Sequence, residues 1–509
     1  MKKVVLIRTP LVVESFLTSN IPVPDIGTAY LCAVAKQAGH DCTVIDAAGL
    51  GLGQLYPIKN TNFFIQGIDA NKIIALIPLD TEVIAVSCML TSSWIYDLYL
   101  LRKIRKKFPH QKLIIGGEHV TAAYDYILKN HPEVDVCVLG EGEETFVELL
   151  NCYQNNQSIG EVKGIAFRAN TGEVRLTLPR NRVKPSTLPW PNWDHVPLDN
   201  YFKANQGINS NSKKSLIMLA TRGCPHVCGF CTNDFMWQAK WFARDPIDVV
   251  NEIKHYKEKY QIEHIDFVDL TILINKEWMN QFCDLIISEK LNITWAIPIG
   301  TRTEGMDKNL LIKMKESGLT RLLYAAESGD DETLKKIEKN LVISRFNRIV
   351  KETVELGIIT KINFIIGFPG QNSKQLWSSY KMLVKMAFIG VNDLITLAFV
   401  PYPGTKLYKE LKLNFDFSAP NFKIPMNNNI SNPISWIELY SNFELKMLMI
   451  LFNGSFYSLQ YIFRPHRILQ SFYRMIILRK PLTNFESIIF NFFKKKDITP
   501  LEEQDLTAY

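Results

Sequence analysis

Short runs rich in Val and Ile recur along this chain, and stretches with helical spacing lie between them. No other feature restricts its fold as much. The first runs are KKVVLIRTP, CTVID (42–46), EVIAVSCM (82–89), KLIIGG (112–117) and VDVCVLG (134–140). Helical stretches run from Gly27 to Gly39, from Trp94 to Phe108 and over 119–130. Near-continuous apolar strands alternating with helices specify a parallel sheet covered on both faces. The expectation is an α/β fold with a doubly wound domain over 1–150. From Ser215 a second series begins: SLIMLATRG, HIDFVDL (264–270), ITWAIPI (293–299), TRLLYAAES (320–328), TKINFIIGFPG (360–370) and DLITLAFVPYPGT (393–405). Helices such as Pro246–Tyr260, Asn309–Ser317 and Arg345–Leu356 intervene. Six strand–helix units over about 190 residues fall short of the roughly 250 of an eight-unit barrel. A partial (β/α)6 barrel over 211–407 fits.

Between the two series, residues 151–210 read as a linker. It holds a hairpin-like stretch, GIAFRANTGEVRL, and then Pro185, Pro189, Pro191 and Pro197 around Trp190 and Trp193. Prolines at that density prevent regular elements. The region 408–509 is helical, aromatic and basic. From 446 to 496 nine Lys or Arg stand against one acid, Glu486, a surplus of eight where the whole chain carries +7. The positive charge therefore belongs to one segment, which argues against nucleic-acid binding. Three uses compete for that segment: helices closing the barrel's open side, a peripheral membrane contact through 445–496, and a partner site. No apolar stretch long enough for a polytopic membrane protein is present. The start, MKKVVLIRTPLVVESF, reads as a strand and not as a signal peptide. The expected location is cytoplasmic, with the inner membrane face as the place of any peripheral contact. Nine cysteines without an export signal point to thiols kept for metal or chemistry, not disulfides.

Three of those cysteines carry the chemistry. Cys224, Cys228 and Cys231 lie in ATRGCPHVCGFC, directly after the first strand of the second series. Three thiolates in one loop can hold three irons of a 4Fe–4S cluster and leave the fourth open to an external ligand. The next cysteine, Cys283, lies far off inside a helical pattern. Structural zinc is the alternative, but it needs four closed ligands, and His226 inside the same loop would strain a tetrahedron.

The run Cys224-Pro-His-Val-Cys228-Gly-Phe-Cys231 resembles the signature of the radical S-adenosylmethionine (SAM) enzymes. Ala326-Glu327-Ser328-Gly329, Gly367-Phe-Pro-Gly370, Pro401-Tyr-Pro-Gly-Thr405 and Asp269 resemble later strand ends of that family. The resemblance implies SAM on the open iron, its reductive cleavage to a hydrogen-abstracting radical, and SAM contacts from Phe230, Asp269, Arg302, Glu327, Ser328 and Gly367. The N-terminal half resembles the cobalamin-binding domain of the cobalamin-dependent subfamily, through Pro24-Asp-Ile-Gly27, Gly39-His40 with Asp46, Gly116-Gly117-Glu118 and Gly140-Glu-Gly142-Glu. It implies cobalamin contacts from Gly27, Asp46, Ser87, Thr91, Gly116, Gly117, Glu118, Gly140, Glu141 and Gly142. The Asp-x-His-x-x-Gly motif that supplies a lower His to cobalt is missing, and neither His40 nor His119 has that context. A domain that has lost its cobalamin is the alternative for this half.

The family resemblance implies methyl transfer to an unactivated carbon, less often phosphorus, of a small or lipid-like substrate. One SAM methylates cobalt and a second generates the substrate radical. A low-potential donor of the flavodoxin or ferredoxin type is the implied electron source. Radical ring closure or oxidation on the same cofactors is the alternative, and a non-catalytic iron–sulfur protein is the alternative of another class. Methylthiolation fits less well, because Cys32, Cys42 and Cys88 lack a second-cluster pattern. The apolar C-terminal segment points toward a lipid or tetrapyrrole substrate.

Overall fold

The computed structural model describes residues 1–13, 22–59, 61, 63–204, 214–412, 430 and 433–494. The expected linker end at 205–210, the first barrel residues 211–213, most of 413–432, and Lys495 and Lys496 lie outside the described residues.

In β1 (Lys3–Arg8), Val4 and Leu6 face one core while Val5 and Ile7 face another. A strand sandwiched between two cores is apolar at consecutive positions, which is why the sequence runs look continuous. After β1 come α1 (Ile26–Gln37), β2 (Asp41–Asp46), β3 (Val83–Ser87), α2 (Trp94–Lys107), β4 (Lys112–Gly116), α3 (Glu118–Asn130), β5 (Val136–Val138) and α4 (Glu143–Gln154). The strands are parallel in the order β2-β1-β3-β4-β5. The chain leaves β1 toward β2 on one side and β3 on the other. A crevice opens at that reversal, where doubly wound sheets bind ligands.

The hairpin expected in the linker belongs to this sheet. β6 (Ile165–Arg168) pairs antiparallel with β5, and β7 (Val174–Leu176) pairs with β6. Its local alternation announces a hairpin, but the edge it joins exists only once β5 is in place. The proline-rich remainder is packed as well: Trp193 and Tyr201 are fully buried in the barrel's core. The Tyr201 hydroxyl donates to Asp46 (2.6 Å) and accepts from Arg8 (2.6 Å).

The second half runs β8 (Ser215–Met218), β9 (Thr221–Gly223), α5 (Asn233–Trp237), β10 (Trp241–Ala243), α6 (Pro246–Tyr260), β11 (His264–Phe267), α7 (Lys276–Ser288), β12 (Thr294–Thr301), α8 (Lys308–Glu316), β13 (Leu319–Glu327), α9 (Ile343–Glu355), β14 (Ile359–Ile366), α10 (Ser373–Ile389) and β15 (Asp393–Ala398). Six strands form one parallel sheet in the order β8-β11-β12-β13-β14-β15, the expected partial barrel. β9 and β10 form a separate two-stranded ribbon.

An open barrel leaves β15 as an unpaired edge, which folds must cover. The cover is α11 (Asn442–Phe463), followed by α12 (His466–Phe472), a π-helical turn (Tyr473–Leu478) and α13 (Asn484–Lys494). Asn453 of α11 accepts the Thr396 N–H (3.1 Å), and the Tyr457 hydroxyl donates to Asp393 (2.5 Å). The helical segment thus closes the barrel's open side.

Candidate cofactor sites

The cysteine loop leaves the carboxyl end of β8 through β9. It is pinned from several sides. The Gly229 N–H donates to the Ile337 carbonyl (2.9 Å), and the Leu407 N–H donates to the Gly229 carbonyl (3.0 Å). The Asn233 amide donates to the carbonyls of Cys224 and His226, both at 2.8 Å. Cys224, Cys228 and Cys231 are free and half-buried. Burial pushes all three thiols up, Cys231 to about 12, while Arg302 and Lys339 pull Cys224 and Cys228 back. Among the described residues no three His, Cys, Asp or Glu side chains are placed to hold a single ion. A tetrahedral zinc needs sulfurs about 2.3 Å from one point, whereas a four-iron cluster spreads its thiolates over separate irons. The loop fits the cluster.

Around the thiols the strand ends converge. Arg302 Nη1 lies 4.0 Å from Cys228 Sγ, its Nη2 donates to the Lys339 carbonyl (2.6 Å), and it pairs with Glu304 at 2.6 Å. Lys339 Nζ holds Glu327 Oε1 at 2.9 Å, both side chains buried. Glu327 takes a positive φ of 60°, a left-handed conformation unusual for a non-glycine. The Phe230 ring packs 5.7 Å from Phe368, and the Gly367 N–H donates to Gln371 (2.9 Å). The sequence reading missed Lys339 and Glu304, because a lysine in the charged stretch LKKIEKN looks like solvated helix surface.

Two residues expected at SAM bond to the protein's own loops. The Asp269 carboxylate accepts the N–H of Thr221, the Thr221 hydroxyl (2.6 Å) and the Ala220 N–H (3.3 Å). It ties β11 to the start of the cysteine loop, and burial raises its carboxyl to about 6. The fully buried Ser328 hydroxyl meets Ser379 (3.0 Å) and accepts the Asp330 N–H (3.2 Å), so it fixes the turn.

The crevice between β1 and β3 opens into a cleft of about 1380 Å³, its solvent-filled mouth included. Gly27, Ser87, Gly116, Gly117, Glu118, Gly140, Glu141 and Gly142 line one side; Leu219, Thr221, Arg222, Gly223 and Val268 of the barrel line the other. Gly117 has φ 119°, and a Cβ there would stand 2.7 Å from the Cys88 carbonyl oxygen. The glycines let backbone approach a large flat ligand closely. Arg222 adds a buried Nε without a hydrogen-bond partner at this wall. Bare backbone along one wall and that orphaned donor on the other fit a corrin with its amide fringe.

Asp46 and Thr91 do not line the cleft. Asp46 caps the turn after β2 through the Gly49 N–H (2.9 Å) and faces Arg8 and Tyr201. Thr91 meets the His119 ring (3.1 Å), which lies tilted 4.8 Å from the Trp94 ring. Both side chains are drawn into packing behind the strand ends. Glu118 stays at the cleft beside the Thr232 hydroxyl, its carboxyl raised by burial.

Comparisons with known proteins agree with this geometry. Residues 16–150 match the B12 binding domain and residues 218–383 the radical SAM superfamily. The chain belongs to the cobalamin-binding radical SAM enzymes. Its cofactors are a 4Fe–4S cluster, SAM and cobalamin, and it is an enzyme, not an iron–sulfur scaffold. It is 28% identical over 388 residues to an uncharacterized methyltransferase of Pyrococcus horikoshii, covering 76% of this chain and 78% of the relative. It is 26% identical over 413 residues to the anaerobic magnesium-protoporphyrin IX monomethyl ester cyclase of Cereibacter sphaeroides, covering 79% of this chain and 63% of the cyclase. The fold is shared with the radical SAM methyltransferase TsrM of Kitasatospora setae: TM-score 0.63, 13% identity, 81% of this chain and 75% of that one.

Proposed function

We propose that this enzyme transfers a methyl group to an unactivated carbon of a small or lipid-like substrate, in the cytoplasm, with electrons from a flavodoxin- or ferredoxin-type donor. One observation carries the reading. Thr221, Arg222 and Gly223 line the cleft, and the next residue is Cys224. The two cofactor sites thus face each other across a single short strand. When bound, the cluster with SAM supplies hydrogen-atom abstraction, and cobalamin supplies a transferable methyl group. The chain's own residues position and shield. Cys224, Cys228 and Cys231 hold the cluster; Arg302, Glu327 and Lys339 form a charged rim suited to the amino and carboxylate groups of SAM. Phe230 and Gly367 offer a ring and bare backbone for its adenosine part. Asp269 and Ser328 hold the loops that carry these groups. The methyltransferase relative supports transfer, while the cyclase relative keeps radical ring closure as a second reading.

Anaerobically reconstituted protein with SAM and a reductant tests both. Methyl transfer expects S-adenosylhomocysteine and 5′-deoxyadenosine together, and a labelled SAM methyl carried onto cobalamin. 5′-Deoxyadenosine with no S-adenosylhomocysteine would favour ring closure, and neither product would sink the reading.

A further inference from the structure

The C-terminal segment presents a face that neither cofactor site uses. α11 seats Leu445, Met449, Phe452 and Phe456 inward, yet Phe443, Met447, Leu451 and Ile462 on its other side are exposed and equally apolar. The following turns extend this surface: Leu469 is 75% exposed and Ile477 64%, with Phe472 and Ile476 between them. Phe388 of α10 joins it, its ring 4.6 Å from Phe463. Monomeric proteins rarely expose a contiguous apolar face of this extent without a use for it. Among the described residues no helix is long and apolar enough to cross a membrane.

Charge selects the occupant. The one acid between 446 and 496, Glu486, is fully buried against Ser471 and Arg474. Arg464 and Arg467 spend their guanidiniums on the carbonyls of Ala387, Phe388, Gly390 and Val391. Beyond the start of α11, where the exposed Glu444 carboxylate accepts from Ser441, the exposed charges beside the apolar face are cationic, Lys381 and Lys385 on α10 and Arg479 after the π-helical turn. A second copy would bring two cationic faces together. An electron donor would dock at the barrel's carboxyl end, which of this face only the start of α11 reaches, with Leu445 beside Gly367; Leu469 to Ile477 follow Arg467, which is anchored on the turn before β15 at the amino end. The six residues of β15 alone separate its two ends by roughly 20 Å. We propose that this face lies on an anionic phospholipid bilayer, its aliphatic and aromatic side chains in the interface and its cations among the headgroups.

Flotation of the full-length holoprotein with phosphatidylglycerol-containing or pure phosphatidylcholine vesicles tests the proposal. The expected result is binding to the anionic vesicles, weakened by salt, and about a tenfold or greater loss in the triple variant Leu469→Glu, Ile476→Glu, Ile477→Glu. These side chains are exposed, so circular dichroism and 5′-deoxyadenosine formation should stay unchanged. No flotation with anionic vesicles at low salt overturns the proposal. So does equal flotation of the triple variant, or a concentration-dependent dimer that the variant abolishes while vesicles stay unbound.

Discussion

Asp97 sits in the first turn of α2, fully buried beside Thr9 and Cys88, and burial raises its carboxyl to about 8. A carboxyl raised above its unfolded value favours the folded state while protonated. That contribution is complete below about pH 4 and is lost as pH rises through about 8. Asn mimics the neutral acid at every pH. Asp97→Asn should therefore gain stability over the parent progressively between pH 5 and 8.5, read by thermal unfolding or by amide exchange of β3 and α2. A gap that does not change with pH would mean the carboxyl is ionised in the fold. Glu327 and Lys339 form a buried ion pair at 2.9 Å. Lys339→Met should cost about 3–5 kcal/mol by leaving a lone buried carboxylate. The double variant Glu327→Gln, Lys339→Met should recover most of that stability but not 5′-deoxyadenosine formation. Denaturant melts and product assays separate the two effects. The cysteines were legible because spacing within one loop is itself the chemical signal. The bonds that Asp269 and Ser328 make to Thr221 and Ser379 were not legible, because a strand-end carboxylate or hydroxyl can face a ligand or its own backbone, and only the neighbouring loop decides.

At the scale of elements, local patterns were read well and partners poorly. The helix expected from Gly27 to Gly39 forms as Ile26–Gln37 because the Asp25 side chain accepts the Thr28 N–H and starts it one residue earlier. The six barrel strands stand where their Val and Ile runs placed them. The stretch SLIMLATRG, expected as one strand, breaks after Met218. Thr221–Gly223 leaves the barrel sheet to form the ribbon with Trp241–Ala243. Gly223 permits this with φ 79°, and a Cβ there would lie 2.1 Å from the Lys240 carbonyl oxygen. That clash is with backbone and has no flexible side chain to absorb it. Gly223→Ala should spread the ribbon, displace Cys224 and lower the iron content of reconstituted protein severalfold. Gly53→Ala, where a Cβ would meet nothing within 4 Å, should leave it unchanged. Equal iron in both variants would show that the ribbon does not set the loop.

At the scale of the whole molecule, the two halves are joined by a buried ionic cluster that no local pattern announces. Glu141 follows β5 and accepts from Arg182 of the linker, the Val183 N–H (3.0 Å) and Arg222 of β9 (3.3 Å). Arg222 also pairs with Glu143 at 2.6 Å and lies 4.5 Å over the Tyr30 ring. Arg182 donates to the Trp237 carbonyl (2.6 Å). Two acids from the first domain thus meet one base from the linker and one from the barrel, all buried at the edge of the cleft. Such networks contribute little net stability against an apolar replacement, but removing one member strands the others. The cysteine loop is fastened separately by Gly229 and Asn233, so loosening the network should reach the cleft first. Glu141→Gln should weaken cobalamin retention by about tenfold, equivalent to about 1.4 kcal/mol, while iron and sulfide content stay at the parent level. Cobalt and iron analysis after gel filtration reads both in one sample. If the two metals fall together, the cluster of charges is a requirement for folding and does not specifically align the halves.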